Sequence, residues 1–186
     1  MTLRDIPNII SLLRIVLVIP IVYLLIQREF SYALVLFFIA GISDGLDGYL
    51  AKRNNWKSRL GSILDPLADK LLLVFSYFAL GWLGEIPLWL VAAVVIRDLV
   101  IIVGAISYHE IIGVYDMTPT WMSKTNTFCQ IVLVLIVVFS SGAYKLPDDV
   151  IDTLVIIVAI TTVASGVNYV WVWGRRAMKA HKVKTG

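Results

Sequence analysis

Long apolar segments occupy most of this chain and constrain its fold more than any other feature of the sequence. A helix needs about 20 mostly apolar residues to cross a bilayer. Short polar turns and loops separate six stretches that meet this requirement: residues 7–26, 31–51, 61–83, 86–107, 124–141 and 149–173. The pattern predicts an all-α integral membrane protein with six transmembrane helices.

The composition agrees with lipid as the main solvent of the protein. Hydrophobic residues make up 59% of the 186 residues and charged residues only 16%, whereas soluble domains carry about 25% charged residues. A globule of this length could not bury so much apolar surface. The length favours a single domain over residues 1–186. The sequence contains no basic face with interleaved aromatic residues, so we expect no binding to nucleic acid.

Positive charges are distributed unequally between the predicted loops. If the N-terminus is cytoplasmic, eleven lysines and arginines fall on the cytoplasmic side, many of them in the segment from Arg175 to Lys184. The opposite side receives two, Arg28 and Lys145. Because cytoplasmic loops are enriched in positive charge, we expect both termini and the 52–60 loop to face the cytoplasm.

Charged residues inside the predicted spans indicate a functional site, since each costs about 2.5–3.5 kcal/mol at mid-bilayer. Asp44 and Asp47 lie near the cytoplasmic end of the second segment, and Asp65 and Asp69 lie in the first turns of the third. Each pair has helical spacing and so occupies one helix face. Because the two helices are consecutive, we expect them to be neighbours and the four carboxylates to converge.

Four carboxylates in a low dielectric repel one another strongly. Two divalent cations would balance them, and all-oxygen ligation favours Mg²⁺, Mn²⁺ or Ca²⁺ over zinc. Two such ions can stabilise the attacking and leaving oxygens of a phosphoryl displacement. A divalent-cation transporter is the alternative from another class. Apart from Asp149 and Asp152 at the outer end of the last segment, the outer halves of the spans carry no charged residue, which disfavours this alternative.

Small and cationic residues extend the predicted site. Gly45, Gly48 and Gly61 leave space for a bulky ligand such as a nucleotide diphosphate, although small residues also serve helix packing. Three cations lie in or near the cytoplasmic half, where they can bind a phosphate on an acceptor molecule: Arg14, Arg97 and Lys124. Arg97 can instead pair with the adjacent Asp98.

Residues 44–69 resemble the signature of the CDP-alcohol phosphatidyltransferase family, D-x2-D-G-x2-A-R-x8-G-x3-D-x3-D. The sequence departs from this signature at Lys52, where the family has arginine. Lysine keeps the charge but lacks the planar guanidinium that can bind a phosphate through two hydrogen bonds. The neighbouring Arg53 can substitute. The resemblance implies phosphatidyl transfer from CDP-diacylglycerol to an alcohol in the membrane. The site would face the cytoplasm, in the inner membrane of a bacterium or an equivalent membrane.

The same resemblance implies roles for individual residues. Asp44, Asp47 and Asp65 correspond to ligands of two Mg²⁺ or Mn²⁺ ions, and Asp69 to a ligand that also acts as the general base. The cytidine diphosphate pocket would be formed by Asp44, Gly48, Ala51, Lys52, Arg53, Gly61 and Asp65. The resemblance also implies a homodimer.

The second half of the chain bears on the acceptor alcohol. The pair Arg97-Asp98 and the run from Ser123 to Gln130 resemble stretches of the cardiolipin-forming branch of the family, which has S-K-x-N-T-x2-Q there. This resemblance favours phosphatidylglycerol as the acceptor. Glycerol-3-phosphate is the alternative acceptor.

Overall fold

The computed structural model describes the backbone of residues 6–53, 61–112 and 121–184, and the side chains of residues 9–46, 64–104 and 121–171. All regular secondary structure in these ranges is α-helical. The helices, in chain order, are α1 (Ile6–Ile26), α2 (Phe30–Arg53), α3 (Gly61–Trp82), α4 (Leu88–Ile112), α5 (Trp121–Gly142) and α6 (Asp148–Lys184).

These helices coincide with the six apolar segments predicted from the sequence, apart from their ends. Helix α4 continues to Ile112, and α6 continues through the basic residues to Lys184. Within the described ranges, three helical stretches are long and apolar enough to cross a membrane: Ile9–Ile26, Trp121–Gly142 and Asp148–Trp171. Phe30–Leu46 is a shorter apolar helix. The described part of the chain is therefore all-helical, with apolar helices of membrane-spanning length.

Two of the helix ends are closed by residues in the left-handed conformation. Arg28 follows α1 with φ of 60°, and Gly84 follows α3 with φ of 78°. In both turns the next residue, Glu29 or Glu85, donates its backbone N–H to a carbonyl five residues earlier. This pattern ends helices in the Schellman motif. Glycine adopts such a φ without steric cost, which explains its use at position 84.

The described helices form two compact units. Unit 1 contains α1, α2, α3 and the part of α5 from Val134 onward. Unit 2 contains α4, the part of α5 up to Leu133, and α6.

In unit 1, helix α1 packs against both α2 and α3. The buried residues recur every three or four positions, the spacing that places side chains on one helix face. On α1 they are Ser11, Arg14, Val18, Ile21 and Leu25. On α2 they are Phe30, Ala33, Phe37 and Ala40, and the next position in this series is Asp44. Each series is apolar along most of its length and polar at one end.

In unit 2, helix α4 packs against α6 with the same arrangement of side chains. The buried series on α6 is Val155, Val158, Thr162 and Ser165. On α4 it is Leu90, Val94 and Arg97. Here too the series ends in polar residues, so each unit has an apolar packed region and a buried polar end.

The helix faces that point away from these contacts are apolar. Ile19 of α1 is 71% exposed, Leu88 of α4 is 66% exposed and Ile156 of α6 is 56% exposed. Soluble monomers rarely expose large contiguous apolar patches. Lipid is the solvent that suits these faces.

Gly142, at the end of α5, lies against the start of α2. A Cβ atom on Gly142 would lie 2.7 Å from Cβ of Phe30 and 2.8 Å from the backbone nitrogen of Ser31. The Ser31 hydroxyl also donates to the Gly142 carbonyl at 2.8 Å. We therefore expect Gly142→Ala to lower the free energy of unfolding by about 1–3 kcal/mol, the usual cost of overpacking. Thermal unfolding in detergent measures this change.

The control is Gly41→Ala on α2, where an added Cβ would meet no described residue within 4 Å beyond its own helix backbone and chain neighbours. Alanine favours a helix over glycine by about 1 kcal/mol, so this variant should be at least as stable as the wild type. Equal unfolding temperatures for Gly142→Ala and the wild type would contradict the close packing of α5 on α2.

Candidate functional site

Arg14 joins three helices of unit 1 through its guanidinium group. Its side chain is 1% exposed, and it is the largest fully buried side chain among the described residues. Its Nη1 atom lies 2.6 Å from Oδ1 of Asp44 on α2. The same atom donates to Oδ1 of Asp69 on α3 at 2.7 Å. Two of the four predicted aspartates therefore meet at one cation supplied by α1.

Ser11 holds a third aspartate of the cluster. Its hydroxyl, which is fully buried, donates a hydrogen bond to Oδ1 of Asp65. Ser11 and Arg14 lie one turn apart on α1, so one face of this helix contacts three acidic side chains. Ser11 was not predicted from the sequence. Its i,i+3 spacing from Arg14, a charged residue inside a predicted span, could have indicated it.

The acidic side chains are more accessible than the arginine that pairs with them. The side chains of Asp44 and Asp69 are each 49% exposed, whereas that of Arg14 is 1% exposed. Both carboxylates therefore keep oxygen surface free for a ligand. The cluster contains three carboxylates, those of Asp44, Asp65 and Asp69, and one guanidinium, that of Arg14. The negative charges outnumber the positive charge, so this cluster attracts cations.

The donor atoms of this cluster suit a hard divalent cation, because all of them are carboxylate oxygens. Asp44 and Asp69 already converge on one cationic nitrogen at 2.6 and 2.7 Å. Within the described side chains, no group of three or more histidine, cysteine, aspartate and glutamate residues is arranged to hold a metal ion. The side chain of Asp47, the remaining predicted ligand, lies outside this part of the structure.

Several other predicted site residues also lie outside the described side chains: Gly48, Ala51, Lys52, Arg53 and Gly61. The backbone places the first four in the last turns of α2 and Gly61 at the start of α3. Their assignment to a cytidine diphosphate pocket stays a prediction.

Arg97 lies at the buried polar end of unit 2. Its Nη1 atom donates to Oδ1 of Asp98 at 2.8 Å, which is the structural pairing considered from the sequence. Its Nη2 atom donates to the hydroxyls of Ser123, at 2.8 Å, and of Ser165. Arg97 is thereby fixed to both α5 and α6.

Polar side chains continue from Arg97 between α5 and α6. The amide oxygen of Asn126 accepts hydrogen bonds from the hydroxyls of Thr161, at 3.0 Å, and Thr162, at 2.9 Å. Asn126 is fully buried, and Gln130 is 3% exposed. Three side chains of the sequence run from Ser123 to Gln130 thus lie in or beside the buried polar end of unit 2, namely Ser123, Asn126 and Gln130.

Lys124 and Arg14 complete the residues predicted to bind the acceptor. Lys124 is exposed, and its Nζ atom lies 5.7 Å from the centroid of the Trp121 ring. Lys124 follows Ser123, the residue that accepts a hydrogen bond from Arg97. In Arg14 the Nη1 atom is engaged by two carboxylates, so an acceptor-binding role for this residue stays a prediction.

Comparison with known proteins identifies the family. Residues 4–165 match the sequence model of CDP-alcohol phosphatidyltransferases. The chain belongs to the CDP-alcohol phosphatidyltransferase family. This result confirms the resemblance carried by residues 44–69, the segment that supplies Asp44 and Asp69 to the cluster.

Relatives within the family include cardiolipin synthases and a glycerol-3-phosphate phosphatidyltransferase. The cardiolipin synthase (CMP-forming) of Rattus norvegicus is 33% identical over 199 residues, covering 96% of this chain and 64% of that protein. The enzyme of the same name from Homo sapiens is 33% identical over 197 residues, covering 95% and 64%. The CDP-diacylglycerol--glycerol-3-phosphate 3-phosphatidyltransferase of Blochmanniella floridana is 33% identical over 144 residues, covering 70% and 72%. The chain spans less than two-thirds of the length of the two cardiolipin synthases.

The position of Arg14 between two carboxylates predicts a reversal of sign in a double-mutant cycle. In the wild type, Asp44→Asn removes one ion pair and should lower stability. In an Arg14→Gln background the same change removes repulsion between Asp44 and Asp69 and should raise stability. We expect a coupling energy of about 0.5–3 kcal/mol, the range for residues in contact. Thermal unfolding in detergent with EDTA, for the four proteins of the cycle, measures it.

Asp152→Asn on α6 is the matched control, because this exposed aspartate lies in unit 2. Its effect on stability should be the same in the wild type and in the Arg14→Gln background. If Asp44→Asn also has one and the same effect in both backgrounds, Arg14 does not couple the carboxylates.

Proposed function

We propose that this family member transfers the phosphatidyl group of CDP-diacylglycerol to phosphatidylglycerol, forming cardiolipin and CMP. Family membership supports the donor, and the relatives named cardiolipin synthase support the product. The observation that carries the proposal is the meeting of Asp44 and Asp69 at Arg14. It brings acids from both halves of the family signature to one accessible site.

In this proposal Asp44, Asp47, Asp65 and Asp69 hold two divalent cations, Mg²⁺ or Mn²⁺. When bound, the ions would neutralise the diphosphate of the donor and the charge that develops at the attacked phosphorus. The described contacts support a prearranged site. Arg14 fixes Asp44 and Asp69 relative to each other, and Ser11 fixes Asp65.

Asp69 is the proposed general base. Its carboxylate accepts the proton of the acceptor hydroxyl while that oxygen forms a bond to the β-phosphorus, the one that carries diacylglycerol. The bond from this phosphorus to the bridging oxygen of the diphosphate breaks, and CMP leaves with the electron pair. Arg14 contacts Oδ1 of Asp69, and the half-exposed carboxylate can reach a hydroxyl at the hydrogen-bonding distance that such catalysis requires.

Space beside the acids supports the nucleotide part of the proposal. Beyond its own helix backbone and chain neighbours, a Cβ atom on Gly45, the residue after Asp44, would meet no atom of the described residues within 4 Å. We propose that Gly48, Ala51 and Gly61 form the floor of the cytidine diphosphate pocket. Lys52 or Arg53 would contact one of its phosphates.

Arg97 and Lys124 are the proposed contacts to the phosphate of the acceptor. Phosphatidylglycerol carries one negative charge on its phosphodiester, whereas glycerol-3-phosphate carries nearly two. With Asp98 paired to Arg97, the two cations leave one positive charge, which favours the lipid. Glycerol-3-phosphate is the second candidate because the Blochmanniella floridana relative is named for it.

The proposal includes an arrangement in the membrane. All six helices would span it as one domain with both termini cytoplasmic, and two chains would form a homodimer. The excess of basic residues in the predicted cytoplasmic segments supports this orientation. The site would then face the cytoplasm from the inner membrane of a bacterium or an equivalent membrane.

An acceptor competition tests the proposed reaction. Purified protein receives CDP-diacylglycerol labelled in its acyl chains, Mg²⁺ or Mn²⁺, and equal amounts of phosphatidylglycerol and glycerol-3-phosphate. We expect the label in cardiolipin, identified by chromatography and mass spectrometry. Label found only in phosphatidylglycerophosphate would reject phosphatidylglycerol as the acceptor and leave the family chemistry intact.

The proposed base is tested by Asp69→Asn, with Asp152→Asn as the matched control. Loss of general-base catalysis should lower kcat by at least about 10²-fold, while the KM for CDP-diacylglycerol rises only modestly because other ligands remain. Asp152→Asn should keep wild-type kinetics. An unchanged kcat with a raised KM would contradict the role of Asp69 as the base and indicate that it only binds ligand.

A further inference from the structure

An apolar groove lies between α4 and α6 within unit 2. Its volume is about 650 Å³, and its lining includes Ile96 and Val100 of α4 and Val163, Gly166 and Trp171 of α6. The α6 side lies within the stretch Asp148–Trp171, one of those long and apolar enough to span a membrane. The groove therefore runs along helices whose outer faces suit lipid.

Among the described residues that line this apolar groove, Arg97 carries the charge. It is 7% exposed, and its Nε–H group is buried without a hydrogen-bond acceptor in the part of the chain that the structure describes. The Nη1 and Nη2 atoms are engaged by Asp98, Ser123 and Ser165. A buried donor of this kind calls for an acceptor atom from a ligand, because leaving it unpaired is costly.

The depth of Arg97 fits the headgroup of a lipid. Its partner Ser123 lies in the first turn of α5, at the start of the membrane-length stretch Trp121–Gly142. Polar lipid headgroups are located at such helix ends, and acyl chains follow the helices inward. Arg97 and the neighbouring Lys124 outweigh Asp98 by one positive charge, which matches one phosphodiester.

Gly166 keeps the groove open beside the arginine. A Cβ atom at this position would lie 3.7 Å from Cγ of Arg97, which is ordinary contact. A larger side chain would extend from there into the groove. An apolar groove, left open by Gly166 and lined by Arg97 with its buried Nε–H donor, suits an amphiphilic ligand.

We infer that the α4–α6 groove binds one acyl chain of an anionic diacyl phospholipid and that Arg97 Nε donates to its phosphodiester. Identification of this lipid with the acceptor, phosphatidylglycerol, rests on the proposed function. The groove then distinguishes a lipid acceptor from a soluble one, because glycerol-3-phosphate has no chain to fill it.

Trp171 lines the groove and provides a fluorescent reporter. Phenylalanine would replace the other five tryptophans, namely Trp56, Trp82, Trp89, Trp121 and Trp173. The variant is reconstituted into phosphatidylcholine vesicles with increasing fractions of phosphatidylglycerol carrying brominated chains. Bromine quenches indole fluorescence only at short range. Brominated phosphatidylcholine at the same fractions reports contact with bulk lipid.

We expect phosphatidylglycerol to quench Trp171 at a lower fraction than phosphatidylcholine does. Arg97→Gln should raise the half-quenching fraction about tenfold, the loss expected for a charged hydrogen bond. Gly166→Leu should reduce the saturable quenching by blocking the groove, and it keeps the test decisive if Arg97→Gln fails to fold. Ile156→Phe adds bulk on an exposed part of α6 outside the lining residues and should change nothing.

Equal quenching by the two lipids would overturn the inference, as would a preference that persists in Arg97→Gln or Gly166→Leu. The assay involves no turnover, so its failure is distinct from failure of the proposed reaction. Selective quenching together with phosphatidylglycerophosphate as the product would keep the lipid site and reject its identity as the acceptor site. No selectivity together with cardiolipin as the product would reject the groove alone.

Discussion

A buried guanidinium in an apolar helix needs partners, because little water is available to solvate its charge. Arg14 has them in Asp44 and Asp69, which come from two other helices and contact one nitrogen atom. The carboxylates need the arginine equally, since their repulsion would otherwise oppose the packing of α2 and α3 against α1. Packing and charge balance in unit 1 therefore depend on the same contacts.

The buried series of residues explains how an apolar helix bundle can carry such a site. Along α1 and α2 the packed face is apolar for several turns and becomes polar at one end, at Arg14 and Asp44. The apolar part can fix the helices by close packing, so the polar part is held without contributing all of the stability itself. Unit 2 repeats this arrangement, with Thr162, Ser165 and Arg97 at its polar end. In both units the polar end contains an arginine fixed by neighbouring helices.

Helical periodicity and charge placement made much of this visible in the sequence. The apolar segments predicted all six described helices. The placement of Asp44 and Asp69 near the cytoplasmic ends of two consecutive segments predicted that these side chains would lie close together. The sequence did not indicate that α1 supplies the common partner, because spacing defines a helix face and not the helix that it contacts. Consecutive order suggested direct pairing of α2 with α3, whereas the structure packs α1 against each. Ser11 was not predicted, because a lone small polar residue in an apolar helix has several ordinary uses.

We propose that acids from α2 and α3 form one site for two metal ions, and Mn²⁺ binding tests this proposal most directly. Electron paramagnetic resonance of the purified protein, titrated with Mn²⁺ in detergent, separates paired from isolated ions. Two ions about 3.5–4 Å apart should give an exchange-coupled spectrum at two ions per chain, and Asp44→Asn or Asp69→Asn should abolish it. An uncoupled six-line spectrum at saturation, unaffected by either substitution, would contradict the claim.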